Sequence, residues 1–249
     1  MQKITIIIPC HNEEKGIAKV IESIPVSELK HLGFIVDLLV IDNASTDQTS
    51  TIARELNATV IYEEKRGKGN AILSGFNHIT EDTTFVVMLD GDNTYKAHEI
   101  PRLIEPLVSN FCDVVIGSRL GGKINKGSFR LKNRIANWVY TFLVRHFYRA
   151  NITDVLSGYF AWKKEVIDKL KPHLNAEGFE IEMEMITKMV KLGFEIYSVP
   201  ITYDSREGET KIDAISDGIR VLRTYLKNLY WTNPEKQSPS SLKKIIFPW

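Results

Sequence analysis

Short apolar runs that alternate with helix-like stretches constrain this chain more than any other feature. Runs at 4–9, 36–41, 59–62, 84–89 and 113–116 have the length of strands. The stretches at 13–24 and 47–55, and the one from Gly67-Lys68-Gly69 through His78, carry helical spacing. Asp47 opens the second of these, where its carboxylate can accept the orphan amides of a first helical turn. Strands read as continuous apolar runs when both faces of their sheet are covered. The alternation therefore predicts an α/β chain, a mostly parallel sheet with helices on both faces. Ligands of such sheets bind beyond the carboxyl ends of the strands. The polar residues gather there: Asp42 after the second run, Asp90-Gly91-Asp92 after the fourth, Gly117-Ser118-Arg119 after the fifth.

The second half is less regular. Residues 129–149 predict a long helix with Trp138, Tyr140, Phe142, Phe147 and Tyr148 set among arginines. A helix at 179–192, a strand at 195–199 and a basic amphipathic helix at 215–231 follow. Residues 237–241 read as a linker to the apolar, basic tail 242–249. A hydrophobic share of 43% with 25% charged residues is that of a globular protein. The net charge of +1 supplies no long-range field for nucleic acid. Cys10 and Cys112 sit far apart in apolar runs and match no metal-ligand spacing, as expected of reduced core thiols. No leader pattern opens the chain, and no run approaches the roughly 18 apolar residues of a spanning helix. The expectation is a cytoplasmic protein whose membrane contact, if any, is peripheral.

Val86-Val87-Met88-Leu89-Asp90-Gly91-Asp92 carries the most chemistry. Two carboxylates two residues apart at a strand end form a hard-oxygen site suited to Mg²⁺ or Mn²⁺, ions that take their remaining ligands from water and substrate phosphates. Such an ion would neutralise a departing nucleoside diphosphate. The other reading of the same residues is a strand-end turn with one capping aspartate.

The ordered set Ile6-Ile7-Ile8-Pro9-Cys10-His11-Asn12-Glu13, Val40-Ile41-Asp42-Asn43-Ala44-Ser45-Thr46-Asp47 and Asp90-Gly91-Asp92 resembles glycosyltransferase family 2. Gly117-Ser118-Arg119, Asp154 through Phe160 and Arg206 through Lys211 resemble its dolichyl-phosphate mannose and glucose synthase branch. The resemblance runs from residue 3 to about 231. It implies a GT-A (Rossmann-like) three-layer fold in one catalytic domain, 1–231, with a C-terminal amphipathic helix and a linker and tail at 232–249. It also implies an inverting, metal-dependent transfer of a hexose or N-acetylhexosamine from a nucleotide sugar to a polyprenyl or dolichyl phosphate.

The resemblance assigns roles as well. Pro9, Asn12, Glu13 and Asp42 would hold the base and ribose. The family often has Asp-Asp-Asn-Ser where this chain has Asp42-Asn43-Ala44-Ser45, which leaves uracil and guanine both open. The 66–69 and 90–94 segments look nearer to relatives that use UDP-sugars than to those that use GDP-mannose. Lys68, in Arg66-Gly67-Lys68-Gly69-Asn70, would sit by the diphosphate at a helix start. Asp90 and Asp92 would be the metal and donor-sugar carboxylates, with Asp92 the direct ligand and Thr94 standing where relatives often carry a Gln. Arg119 and Arg130, with Asn133 and Ser157, would grip the acceptor phosphate, because arginine's planar fork matches phosphate oxygens. Arg206 and Lys211 would close over the donor diphosphate.

Three glutamates and two segments keep alternative readings. On a helix, Glu180 and Glu184 share a face and Glu182 points elsewhere; the three either line the site or belong to a surface helix. A sugar-hydroxyl acceptor would need a carboxylate base, whereas an ionised phosphate would not. The aromatic, basic helix around 138–149 suits a lipid interface or packs into the core. The tail binds a membrane or docks on a partner, and without a spanning helix tight anchoring would fall to a membrane partner protein. A transferase with a soluble or glycan acceptor and a non-catalytic nucleotide-sugar-binding relative are the competing functions.

Overall fold

The computed structural model describes residues 1–208, 213 and 215–234. Among the described residues seven strands, β1 (Gln2–Cys10), β2 (Phe34–Asp42), β3 (Thr59–Tyr62), β4 (Phe85–Met88), β5 (Val114–Ile124), β6 (Phe160–Lys163) and β7 (Ile196–Tyr203), form one sheet in the order β3-β2-β1-β4-β6-β5-β7. Every pairing is parallel except those of β6, which runs antiparallel to both β4 and β5. The helices are α1 (Ile17–Glu22), α2 (Val26–His31), α3 (Thr49–Glu55), α4 (Lys68–Asn77), α5 (Ile100–Val108), α6 (Leu131–Tyr148), α7 (Lys164–Leu170), α8 (Ile181–Leu192) and α9 (Ser216–Tyr230).

The alternation of side chains along β1 splits the interior into two cores. Ile7 packs with Ile41, Met88, Ile116 and α8 residues such as Met185 on one face of the sheet. Ile4, Ile6 and Ile8 pack with Val40, Val87, Val115 and the α1 and α5 residues Ile17, Val20 and Leu103 on the other. All four β1 isoleucines are fully buried, each worth roughly 1.5–3 kcal/mol in transfer terms. These three layers are the expected α/β architecture. The strand order reverses direction between β1 and β4, so a crevice opens beyond their carboxyl ends, the position where such sheets bind ligands.

Several elements differ from the sequence reading. The 13–24 stretch becomes helical only at Ile17, because Gly16 and Ile17 donate their amides to the Glu13 carbonyl in a preceding turn. α2 was not expected. β5 runs eight residues past Ile116, to Ile124, with a register break against β7 between Ser118 and Lys123. β6 was not expected either, and its two antiparallel pairings leave the sheet mostly parallel, as expected. The N-cap of α3 is Gln48 rather than Asp47; Asp47, one residue earlier, still serves the helix start, its Oδ1 accepting the Thr49 amide at 3.0 Å and the Thr49 hydroxyl at 2.5 Å.

Candidate functional site

The segments after β1, β2 and β4 converge on a cleft of about 430 Å³, lined among others by Pro9, His11, Glu13, Lys68, Asp90 and Arg206. The Asp90-Gly91-Asp92 turn packs tightly against the start of α1. A Cβ on Gly91 would stand 2.5 Å from Cys10 Sγ, and one on Gly16 would stand 2.6 Å from the Gly91 carbonyl oxygen. Only glycines let these two segments meet, and their meeting fixes the directions of the two aspartates.

Asp92 is 1% exposed. Its Oδ1 accepts the Thr94 amide at 3.0 Å and the Thr94 hydroxyl at 2.6 Å, and its Oδ2 contacts the Arg206 guanidinium. Thr94 therefore orients Asp92 through its hydroxyl. Arg206 arrives on a loop stitched to the same turn, with Asp204 donating its amide to the Thr94 carbonyl at 2.9 Å and Glu207 donating to the Asp92 carbonyl at 3.0 Å. Burial opposes the charge of Arg206, but Asp92, Glu13 and Asp90 outweigh it and hold the guanidinium above its usual pKa.

Asp90 Oδ1 lies 2.8 Å from Lys68 Nζ, and the same ammonium lies 2.7 Å from Glu182 Oε1. Burial works against the Lys68 charge, and Asp90 and Glu182 reverse that and raise its pKa. Glu182 is 3% exposed. Burial lifts its carboxyl above the ordinary range, and Lys68 pulls part of the shift back. Helical spacing had directed Glu182 away from Glu180 and Glu184; the structure points it at the cleft floor. Glu184 is an internal clamp, 2.6 Å from Lys188 Nζ and accepting the amides of Asn175 and Ala176. Glu180 stands just before α8 and accepts the Gly178 amide at 3.4 Å. The surface-helix reading fails for Glu182 and Glu184, which the docking of α8 against the sheet buries.

Among the described residues no group of three or more His, Cys, Asp and Glu forms a metal-holding cluster. A pair of strand-end carboxylates, Asp90 and Asp92, suits a cation that completes its shell with waters and phosphate oxygens. Glu13 and Asp90 line the cleft and Asp92 and Glu182 stand behind them, four carboxylates against three cations, Arg66, Lys68 and Arg206. A divalent ion fits that excess of negative charge.

Pro9 and Glu13 line the cleft, whereas Asn12 and Asp42 bond within the adjoining loop. Asn12 Oδ1 accepts the Thr46 amide at 2.8 Å. Asp42 Oδ1 accepts the Ser45 amide at 3.0 Å, and its Oδ2 accepts the Ser50 hydroxyl. Both carbonyl-type side chains thus brace the 42–46 loop. Lining positions that the sequence reading passed over are His11, whose Nδ1 is 2.7 Å from the Asn43 carbonyl, Asn43 itself and Phe179. His11 and Asn43 directly follow strand ends, the one signal that could have found them.

The arginines divide. Arg119 is 7% exposed. Its Nε and Nη2 bind the Asp154 carboxylate at 2.8 and 2.9 Å, its Nη2 also reaches the Leu156 carbonyl at 2.6 Å, and its guanidinium covers the rings of Phe129 and Tyr203. A buried guanidinium needs such partners, and Asp154 supplies the charge. Burial opposes the Arg119 charge and Asp154 overcomes it, raising the pKa. Ser157 is fully buried and donates to the Gly117 carbonyl at 2.6 Å. Arg119 and Ser157 therefore spend their main hydrogen bonds inside the protein. Arg130 is exposed at the start of α6, with Asn133 half-buried one turn on. Near them lies an apolar hollow of about 240 Å³ lined by Leu120, Leu131, Arg134, Ile135 and Trp138. Lys211 and most of the tail lie outside the described residues.

A low-salt glycan biosynthesis hexosyltransferase of Haloferax volcanii is 34% identical over 226 residues, 90% of this chain and 53% of its own length, so the chain spans about half of that relative. A dolichyl-phosphate hexose transferase of the same organism is 27% identical over 226 residues, 90% of this chain and 92% of its own. The fold matches that of glucosyl-3-phosphoglycerate synthase from Mycobacterium tuberculosis, solved with Mn²⁺, UDP and product, at a TM-score of 0.71 and 24% identity over 94% of this chain and 82% of that one. The family model for glycosyl transferase family 2 matches residues 5–171. That span takes in β1 through α7 and most of the residues that line the cleft, and on it the chain belongs to glycosyl transferase family 2.

Proposed function

We propose that the protein transfers a hexose or N-acetylhexosamine from a nucleotide sugar, a UDP-sugar rather than GDP-mannose, to a polyprenyl or dolichyl phosphate. The observation that carries this reading is the cleft beyond β1 and β4, where Asp90 and Asp92 stand beside Lys68 and Arg206. Asp90 and Asp92 would hold Mg²⁺ or Mn²⁺, which when bound neutralises charge on the leaving diphosphate. Lys68 and Arg206 add fixed positive charge at the same end of the cleft. Pro9, His11 and Glu13 form the wall against which the nucleoside would lie.

In the reaction, an acceptor phosphate oxygen forms a bond to the anomeric carbon. The bond from that carbon to the diphosphate breaks, its electron pair leaves with the nucleoside diphosphate, and the configuration inverts. The attacking oxygen is already ionised, so no residue need remove a proton, and catalysis rests on positioning and charge. The exposed Arg130 and Asn133, beside the hollow at Leu131 and Trp138, offer the acceptor a cation next to an apolar seat.

The dolichyl-phosphate relative supports a lipid acceptor, and so does the surface of α6. Leu131, Ile135, Trp138 and Phe142 recur at helical spacing and are each more than half exposed. Lys132, Arg134 and Arg145 stand on the same helix, which carries no acidic residue. An apolar stripe with cations beside it suits an anionic bilayer surface. No helix among the described residues is long and apolar enough to cross a membrane. We place the protein peripherally at the cytoplasmic face, with a membrane partner protein supplying any tighter anchor.

A transfer assay tests the reading: labelled nucleotide sugars, polyprenyl phosphate in detergent, and Mg²⁺ or Mn²⁺ with a chelator control. Metal-dependent movement of label into the organic phase is expected. Metal-dependent donor loss without lipid product would redirect the reading to a soluble acceptor.

A further inference from the structure

Two of the three glutamates near the start of α8 have evident local duties, but Glu182 does not serve its own helix. Its carboxylate reaches across to α4 and lies 2.7 Å from Lys68 Nζ, with Asp90 on the far side of the same ammonium at 2.8 Å. The two helix starts also join through their backbones, since the Gly69 amide donates to the Glu177 carbonyl at 2.9 Å. The third wall is Gly158, where a Cβ would stand 2.7 Å from Asp90 Oδ2 and 2.9 Å from Lys68 Nζ. Lys68 is thus boxed by a missing side chain, a strand-end aspartate and a glutamate from a distant helix.

Resting on the transferase reading above, we propose that Glu182 is a positioning residue: it holds the Lys68 ammonium against Asp90 at the diphosphate end of the cleft without itself touching substrate. A lysine on four flexible carbons has no geometry of its own. With Asp90 as its sole partner, the ammonium would follow the first competing anion or swing to water. The second carboxylate, anchored on α8 behind the cleft, makes the innermost position the favoured one. When a diphosphate arrives, Lys68 can share itself with the phosphate oxygens while Glu182 still tethers it. The charge is then in place before the bond breaks, so no reorganisation is needed during the reaction.

The test has two independent readouts on the whole chain. The first is the acylation rate of Lys68 by an activated ester under native conditions, followed by peptide mass spectrometry. Glu182→Gln should raise it about tenfold, because a salt-bridged, enclosed amine becomes a mobile one. Glu184→Gln, which breaks a clamp elsewhere on α8, should leave Lys68 as slow as in the parent. The second is donor turnover with polyprenyl phosphate present, read as nucleoside diphosphate release. Glu182→Gln should lower kcat about 10–100-fold with the donor KM within about threefold, and Lys68→Met with Glu182→Gln should be no worse than Lys68→Met alone, because residues that act as a unit lose activity non-additively. An unchanged acylation rate, or losses that multiply in the double variant, would overturn the assignment. Absence of donor turnover in the parent protein with every nucleotide sugar would sink the transferase reading, and the acylation rates would still decide whether Glu182 fixes Lys68.

Discussion

The carboxylate of Asp154 meets the guanidinium of Arg119 side by side, accepting Nε at 2.8 Å and Nη2 at 2.9 Å in an interior where Asp154 is fully buried. Asn137 of α6 donates to the same carboxylate at 2.6 Å. The pair therefore ties β5, the 154–157 loop and α6 together. Removing one member strands the other charge, and breaking a buried pair in this way costs about 3–5 kcal/mol. Asp154→Asn, which strands the buried guanidinium, and Arg119→Met, which strands the fully buried carboxylate, should each lose that much in urea unfolding. If both variants unfold like the parent, the pair does not hold these elements together.

Metal dependence should centre on Asp92. Asp92→Asn is expected to reduce donor turnover by about 10²–10³-fold, the range seen when one preorganised charge partner is removed. A chelator should abolish turnover in the parent protein, with Mn²⁺ or Mg²⁺ restoring it. Titration of Mn²⁺ followed by calorimetry would show whether the ion binds through this residue.

Gly158→Ala is a probe of space. A methyl group there would stand 2.7 Å from Asp90 Oδ2, so the Asp90–Lys68 pair must shift. Overpacking of this kind costs about 1–3 kcal/mol. Thermal unfolding should show that loss, together with a fall in kcat larger than the stability change alone explains.

At Asp47, burial works against the charge. The Thr49 hydroxyl, the Thr49 amide and the Glu14 amide outweigh it, holding the carboxyl below its usual pKa. A carboxyl with a depressed folded-state pKa adds stability above its unfolded value, and that stability is lost as pH falls through the folded one. Asp47→Ala should therefore cost about 1 kcal/mol at neutral pH, as loss of hydrogen bonds to a charged group does. The gap between parent and variant should close on acidification below about pH 4. A gap independent of pH would mean that the hydrogen bonds to the ionised carboxylate carry none of it.

The α6 stripe predicts lipid binding. Trp138→Glu with Phe142→Glu should reduce co-sedimentation with anionic liposomes by at least about tenfold, since each side chain is worth about 1.5–3 kcal/mol when withdrawn from water. Both positions are more than half exposed, so the unfolding midpoint should barely move. Turnover with polyprenyl phosphate in detergent should fall too, because Trp138 lines the hollow proposed as the acceptor's seat.

The sheet and the cleft were legible because each depends on short-range patterns: apolar runs of strand length, and aspartates placed where those runs end. Asp90, Asp92 and Glu13 sit two to four residues past β4 or β1 and Pro9 lies near the end of β1, and the structure gathers them. What the pattern could not carry was the direction of a side chain chosen by a distant neighbour. Arg119, at a strand end, looked like a phosphate ligand; Asp154, 35 residues on, turns it inward. Glu182 stayed undecided between the site and a surface helix, because helical spacing orders residues around one helix but says nothing of which face docks. β6 was hidden because four residues, Phe160–Lys163, are too few to show a period.

The position of β6 bears on how the chain reaches this structure. β4 carries the aspartates and β5 leads to Arg119, yet the strand that joins them, Phe160–Lys163, is made only after α6. During synthesis, the first four strands can assemble while β4 presents an unpaired edge, the kind of edge on which chains stick to one another. The wedge strand closes that edge and seats Asp154 and Gly158 in the same movement. Nascent chains halted before residue 160 should be prone to aggregate, and the cleft should form in one late, slow step as the sheet zips shut on both sides of β6.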